Sequence, residues 1–262
     1  MNFITSRKII NDVMGRLSRV LAVTVILPVY RGICIQAKED GITLIVSDGT
    51  VSMKEIINED ITIYEMGECI VDGKLFQEIV KKMDDGDLSM RVEKNQLKIK
   101  GVLAEMKLVT FGEGIYPVID FSFPKTDIRV MRNHLVEAIE KTIFSSSEHQ
   151  TRPILGGLHF KTRETQCEVT GTDSYRLSQM KIPAICSNEL EITIPKKMLS
   201  LISGIFTEEE VILRFDQHKA LLASGNLVIQ SVLLDGRYPN TDQLLPKYFD
   251  TEITLDTETL LR

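Results

Sequence analysis

No apolar run in this sequence approaches the roughly 18 residues that a helix needs to cross a bilayer. The N-terminus, MNFITSRKII, lacks a long apolar core and a small-residue cleavage site, so no secretory leader is expected. Cysteine is sparse: Cys34, Cys69, Cys167 and Cys186 are scattered without a CxxC pair. A disulfide framework or a zinc site needs closer, patterned spacing. The four read instead as small buried hydrophobes in a reducing compartment, and a cytoplasmic location is expected. No P-loop and no dinucleotide-binding glycine fingerprint is present. The histidines, His134, His149, His159 and His218, show neither HxH nor HExxH spacing. Asp84 and Asp85 sit in MDDGD, where acidic and glycine residues make turns. Ser145–Ser147 follow a helical stretch without a nucleophile motif. These absences point to a binding protein rather than an enzyme, with no cofactor and no metal.

The length of 262 residues fits two domains of about 120 to 130 residues each. The formal net charge of −6 argues against a nucleic-acid partner only if charge is evenly spread. Four stretches read as helices (6–20, 72–86, 129–142 and 195–206) carry +3, −1, +1 and +2, which leaves −11 elsewhere. Acidic surroundings with comparatively basic helices would repel a polyanion on most faces and attract it along one.

An internal repeat organises the chain. LPVYRGICIQAKEDGITLIVSDG (27–49) lies over RPILGGLHFKTRETQCEVTGTDS (152–174) at an offset of 125, with Pro28 on Pro153, Gly32 on Gly157 and Asp48 on Asp173. Further along the offset is 123: Val71, Phe76, Ile79 and Met83 fall on Ile194, Leu199, Ile202 and Phe206. Near the end it is 122, with Tyr116 and Pro117 on Tyr238 and Pro239. A third copy begins: Phe3 and Ile10 match Ile128 and Leu135, and these match Ile253 and Leu260. The expected organisation is a first unit at 1–125, a second at 126–249 and the start of a third at 250–262. A complete third unit would give a chain of about 370 residues, so the sequence reads as truncated. Leu260 and Leu261, with no domain to bury them, are expected to fray.

Within each unit an extended segment precedes an amphipathic helix. Ile10, Val13, Met14 and Leu17, and again Leu135, Ala138, Ile139 and Ile143, share one face by their spacings of three and four. Alternating strands follow, around 32–36 and 158–161, then a second helix carrying Phe76, Ile79, Val80 and Met83, or Leu199, Ile202 and Phe206. Pro195 suits the first turn of its helix. Further strands around 97–100 and 220–223 complete an α+β unit with two helices packed on antiparallel sheets.

Three stretches, SSSEHQTRPILGGLHF (145–160), TGTDSYRLS (170–178) and LLDGRYPNTDQLLP (233–246), together with LPVYRG (27–32) and VTFGEGIYPVIDF (109–121), resemble the bacterial DNA sliding clamp family, the beta subunit of DNA polymerase III. The resemblance covers the whole sequence. It implies tandem domains of the DNA clamp (processivity) fold, three per chain, in a head-to-tail ring of two chains with helices lining the hole. It also implies a processivity factor without a catalytic site, whose ring encircles duplex DNA and tethers the replicative polymerase. By position, the DNA-facing residues it implies are Lys74, His149, Gln150, Arg152, Lys196 and Lys197. Arg7, Arg16, Arg19 and Arg132 join them by charge and helix placement alone. Where the family often has an arginine shortly before the LP of its first domain, this sequence has Thr24. A cleft for peptides of the polymerase III alpha subunit, the clamp loader and other partners is implied at Leu155, Thr172, Ser174, Tyr175, Arg176, Leu177 and Pro246. The 262-residue chain alone is expected to be a monomer, or at most a weak dimer that does not form a ring. Two other readings stand beside this one: a nucleic-acid enzyme, and a short clamp paralogue that binds partners without encircling DNA.

Overall fold

The computed structural model describes residues 1–21, 27–112, 116–149, 151–186, 188–206, 209–244, 248 and 250–261. Gln150, Pro246 and Thr24 lie outside them. The first unit runs β1 (Asn2–Ser6), α1 (Arg7–Leu17), β2 (Gly32–Lys38), β3 (Gly41–Ser47), β4 (Val51–Ile57), β5 (Ile61–Glu65) and β6 (Gly67–Asp72). It continues with α2 (Gly73–Lys82), β7 (Asp87–Glu93), β8 (Gln96–Lys100) and β9 (Glu105–Val109). The second repeats that order: β10 (Thr126–Met131), α3 (Arg132–Thr142), β11 (Gly157–Arg163), β12 (Gln166–Thr172), β13 (Leu177–Pro183), β14 (Ile185–Cys186) and β15 (Glu191–Pro195). Then come α4 (Lys196–Ile202), β16 (Glu210–Phe215), β17 (Lys219–Ser224) and β18 (Leu227–Val232), and last a short helix, α5 (Thr257–Leu261).

The helices are shorter than the periodicity suggests, for local reasons. Arg129–Met131 are drawn into β10, where they pair with β16. Met83 turns extended after α2, and Gly86 takes the left-handed φ of +125° that a residue with a Cβ avoids. Pro195 closes β15 and stands at the N-cap of α4, one residue before the first turn. Along α1 the buried residues are Ile10, Val13, Met14 and Leu17, and along α3 they include Leu135, Ala138 and Ile139. Ile143 follows α3 in a 3-10 turn and is only partly buried.

Among the described residues all sheet pairing is antiparallel. One five-stranded sheet has the order β5-β1-β7-β8-β9, one four-stranded sheet β13-β12-β11-β15, and a nine-stranded sheet runs β14-β10-β16-β17-β18-β4-β3-β2-β6. The nine-stranded sheet is composite: β18 of the second unit pairs with β4 of the first, Ile229 opposite Met53. The repeat is carried into register. Phe3 faces Met90 as Ile128 faces Leu213, Ser47 faces Ser52 as Thr172 faces Leu177, and Lys98 faces Lys107 as Leu221 faces Gln230. A single hydrophobic cluster extends through both units, with Phe3, Phe76, Phe160 and Phe206 among its fully buried side chains.

In the last segment Ile253 and Leu260 are 72% and 70% exposed, whereas Phe3 and Ile10, which match them, are wholly buried. Leu260 is helical rather than frayed, because Asp256 caps α5 by accepting the Thr259 N–H at 3.0 Å.

Candidate functional site

Two helix pairs make one surface. In the first unit Gln77 Nε2 of α2 donates to Ser18 Oγ after α1 at 3.0 Å. In the second, Arg132 Nη2 of α3 donates to the Ser203 carbonyl after α4 at 3.3 Å. The pairs meet where Arg19 lies so close to Gly204 that a side chain there would collide with its guanidinium. Helices α1, α2 and α4 each carry a net +2 and α3 is neutral. The surface is therefore more basic than the sequence count implies, because Asp84 and Asp85 fall beyond α2. Asp84 instead accepts the Leu103 N–H at 2.6 Å, and Asp85 pairs with Arg7 at 2.9 Å.

The expected DNA-facing residues differ in how free they are. Lys74, in the first turn of α2 behind the Asp72 cap, is exposed and has no ion pair among the described residues. His149 and Arg152 are exposed on the loop between α3 and β11, and Arg152 Nη1 reaches Ser174 Oγ at 3.4 Å. Lys196 Nζ is bound to Glu148 at 2.9 Å, which holds the Glu148 carboxyl below its usual range. Lys197 crosses the boundary between units to an ion pair with Asp48, whose side chain is only 4% exposed. Burial pushes the Asp48 carboxyl up, but Lys197 and the N–H groups of Val51 and Thr50 outweigh it and hold it below its ordinary value. Arg16, a candidate by charge alone, is committed elsewhere. Its Nε donates to Glu55 Oε2 at 3.0 Å and its Nη2 pairs with the other oxygen of that buried side chain.

The expected peptide cleft gathers around one turn. Asp173 Oδ1 accepts the N–H groups of Tyr175 (2.9 Å) and Arg176 (3.0 Å), and Oδ2 accepts Arg176 Nε at 2.9 Å. Those backbone donors first, and then the guanidinium, hold the Asp173 carboxyl low. Thr172 Oγ1 donates to the Arg176 carbonyl at 2.7 Å and accepts the Ser174 N–H at 3.1 Å. That clasp keeps Ser174 at φ +81°, where the matching residue of the first unit, Gly49, has φ +93°. Tyr175 is left 99% exposed. Leu177 is half-buried, Leu155 buried beneath, and Arg176 lies 6.0 Å over the exposed ring of Phe144. Ser147 N donates to the Leu155 carbonyl at 2.8 Å, so the loop that bears His149 and Arg152 is tied to the floor of this turn. The two expected sites are neighbours.

A cavity of about 830 Å³ lies apart from both, beside β15 under the segment 233–241. There Tyr238 stacks on His159 with ring centroids 4.3 Å apart and donates to the Thr170 carbonyl at 3.2 Å. A cavity at the matching place in the first unit is lined by Cys34, Gln36, Glu68 and Tyr116. Its recurrence marks it as a product of the crossing segment rather than of a particular chemistry. Sequence reasoning missed the Arg16–Glu55 and Lys197–Asp48 pairs and the place of Phe144. No spacing rule links residues that only the tertiary fold brings together.

The family models for the N-terminal and central domains of the DNA polymerase III beta subunit match residues 1–120 and 129–240. The beta sliding clamp of Streptococcus pneumoniae serotype 4 is 29% identical over 270 residues, covering 99% of this chain and 71% of that protein. The beta sliding clamp of Bacillus subtilis is 30% identical over 247 residues, covering 90% of this chain and 65% of that protein. The crystal structure of the Bacillus subtilis DNA polymerase sliding clamp superposes with a TM-score of 0.90 at 26% identity, over 95% of this chain and 68% of that one. With both repeat units matched in order by the family's own domains, the chain belongs to the DNA polymerase III beta subunit family, the beta sliding clamps.

Proposed function

We propose that this chain supplies the first (1–125) and second (126–249) domains of a clamp that holds duplex DNA along its helix surface and docks partner peptides at the Thr172–Leu177 turn. The observation that carries this reading is the shared surface of α1, α2 and α4, each net +2, in a chain whose overall charge is −6. Sliding requires no base readout, so phosphate contacts suffice. Such contacts alone give dissociation constants of roughly 10⁻⁴ to 10⁻⁶ M, so retention on DNA comes from encirclement rather than affinity. Lys74 and Arg152, exposed and without an ion pair among the described residues, meet phosphate, with His149 and Gln150 just before Arg152 in sequence. Lys196 and Lys197 meet it only by sharing with Glu148 and Asp48.

At the peptide turn, Leu155 and Leu177 offer apolar contact, Tyr175 an exposed ring, and Thr172, Ser174 and Arg176 fix the shape around them. Pro246 is assigned here by resemblance. The partners of this reading are the polymerase III alpha subunit and the clamp loader, in the cytoplasm. The protein works as a processivity factor rather than a catalyst.

The test is the salt dependence of duplex DNA binding by Lys74→Glu and Arg152→Glu, with Lys98→Glu on β8 as the control. Each phosphate contact removed should shallow the slope of log K against log salt by about 0.9. An equal effect of Lys98→Glu would sink the assignment.

A further inference from the structure

We infer that the segment 117–124 is a latch on the joint between the two units, a strap across the outer face of the composite sheet whose seats hold β4 and β18 together. The joint itself is the pairing of β18 with β4. Three cations on that face grip the strap. Lys219 Nζ of β17 donates to the Asp120 carbonyl at 2.9 Å, to Asp120 Oδ2 at 2.8 Å and to Ser122 Oγ at 3.3 Å. Lys54 Nζ of β4 stands 5.1 Å from the ring centroid of Phe121, and Arg214 of β16 lies 5.2 Å over the ring of Phe123. Lys54 belongs to the first unit, Lys219 and Arg214 to the second. In the sheet order β16-β17-β18-β4 the strap therefore bridges β18 from both sides.

Strand register puts the three cations on one face. Lys54 stands opposite Val228, Lys219 opposite Val232 and Arg214 opposite Leu221. Alternation along β17 and β18 sets Leu221 and Val228 on that same face. Leu221 is wholly buried and Val228 is 6% exposed, yet neither belongs to the hydrophobic cluster, which takes their neighbours Ala220, Leu222, Leu227 and Ile229 on the other face. A second apolar layer thus lies outside the core, at the joint, and the strap is the roof over it. Burial lowers the pKa of Lys54 on the same face.

The strap is built to keep one shape. Pro117 and Pro124 bound it and restrict the backbone at its ends. Between them Asp120 accepts the Ser122 N–H at 2.9 Å through Oδ1 and the Ser122 hydroxyl at 2.8 Å through Oδ2. The Asp120 side chain is 72% exposed and that of Lys219 is 17% exposed, so water screens this ion pair in part. Each seat alone is weak, and they act together because one short segment joins them. Opening β18 from β4 separates Lys54 from Lys219, which unseats Phe121 or Asp120. Lifting the strap in turn exposes Leu221 and Val228 to water.

The test is Lys219→Met in the 262-residue chain, which keeps the side-chain stem and removes the donor. Chymotrypsin should then cut after Phe121 and Phe123 severalfold faster, and circular dichroism establishes that the variant is folded. Hydrogen exchange read by mass spectrometry should quicken severalfold in β18 and β4, with β7 and β8 unchanged. Asp120→Asn in the Lys219→Met background should add nothing to either effect, since the two side chains act as one contact. Phe121→Ala, which empties the seat on Lys54, carries the same exchange readout should Lys219→Met misfold. Faster cutting with unchanged exchange in β18 and β4 would make the strap a passive cover and overturn the inference. Unchanged cutting, an equal rise of exchange in β7 and β8, or an additive second substitution would overturn it as well. Neither readout involves DNA or peptide affinity, so failure here leaves the clamp reading standing.

Discussion

Replacing Arg16 with methionine removes both donors from the buried carboxylate of Glu55 while keeping much of the side-chain volume. Glu55 is 7% exposed in β4, opposite Leu227 of the second unit. Breaking a buried ion pair by deleting one member costs about 3–5 kcal/mol, because the remaining charge loses its compensation. The Arg16 side chain is 35% exposed, so solvent screens part of the attraction, and a loss of about 2–3 kcal/mol is expected. Replacing Glu55 with methionine as well should recover most of that loss, since apolar residues of similar volume substitute for a buried pair at little cost. The assay is urea unfolding of both variants, compared by midpoint at an unchanged slope. A double variant no more stable than Arg16→Met would refute the reasoning. The same variant separates two roles. A phosphate-bound Arg16 would contribute about 0.9 to the salt slope of DNA binding, whereas an Arg16 committed to Glu55 leaves that slope unchanged on substitution.

The Lys197–Asp48 pair makes the junction acid-labile. The Asp48 carboxyl is held below its ordinary 3.8, so its contribution is complete above that pH and is lost as pH falls through the lowered value. Asp48→Asn should remove that part of the pH dependence of limited proteolysis between the units, and an unchanged profile would exclude the pair as its source. Burial lowers the pKa of His159 below 6.5, against the opposing pull of Glu191. The neutral ring therefore stabilises the fold above pH 6.5, and stability declines as pH falls through the depressed value. Thermal melting of His159→Phe should show a flatter acid limb, and an unchanged limb would mean that other groups cause it. At the peptide turn, Tyr175→Ala and Leu177→Ala should each weaken binding of a clamp-binding peptide by about 1–3 kcal/mol, read by calorimetry on variants that remain folded. Unchanged affinity would remove that residue from the cleft.

The sequence by itself determined the repeat, the order of elements and the buried faces of the helices. These are local matters: spacings of three and four set a helix face, alternation sets a strand, and duplicated motifs at a near-constant offset set the unit. It also pointed, through the family resemblance, to Arg152, Leu155 and the TDSYRL stretch as site candidates. What it could not assign was the fate of individual charges. Arg16 and Lys197 look alike as basic residues on helices. One is bound to Glu55, 39 positions away, and the other to Asp48 in a different unit, while Lys74 has no ion pair among the described residues. Nor did it reveal that β4 and β18 join the units in one sheet. Pairing between strands distant in sequence and the partners of surface charges depend on which surfaces the fold brings within a few ångströms. Only the tertiary structure decides that.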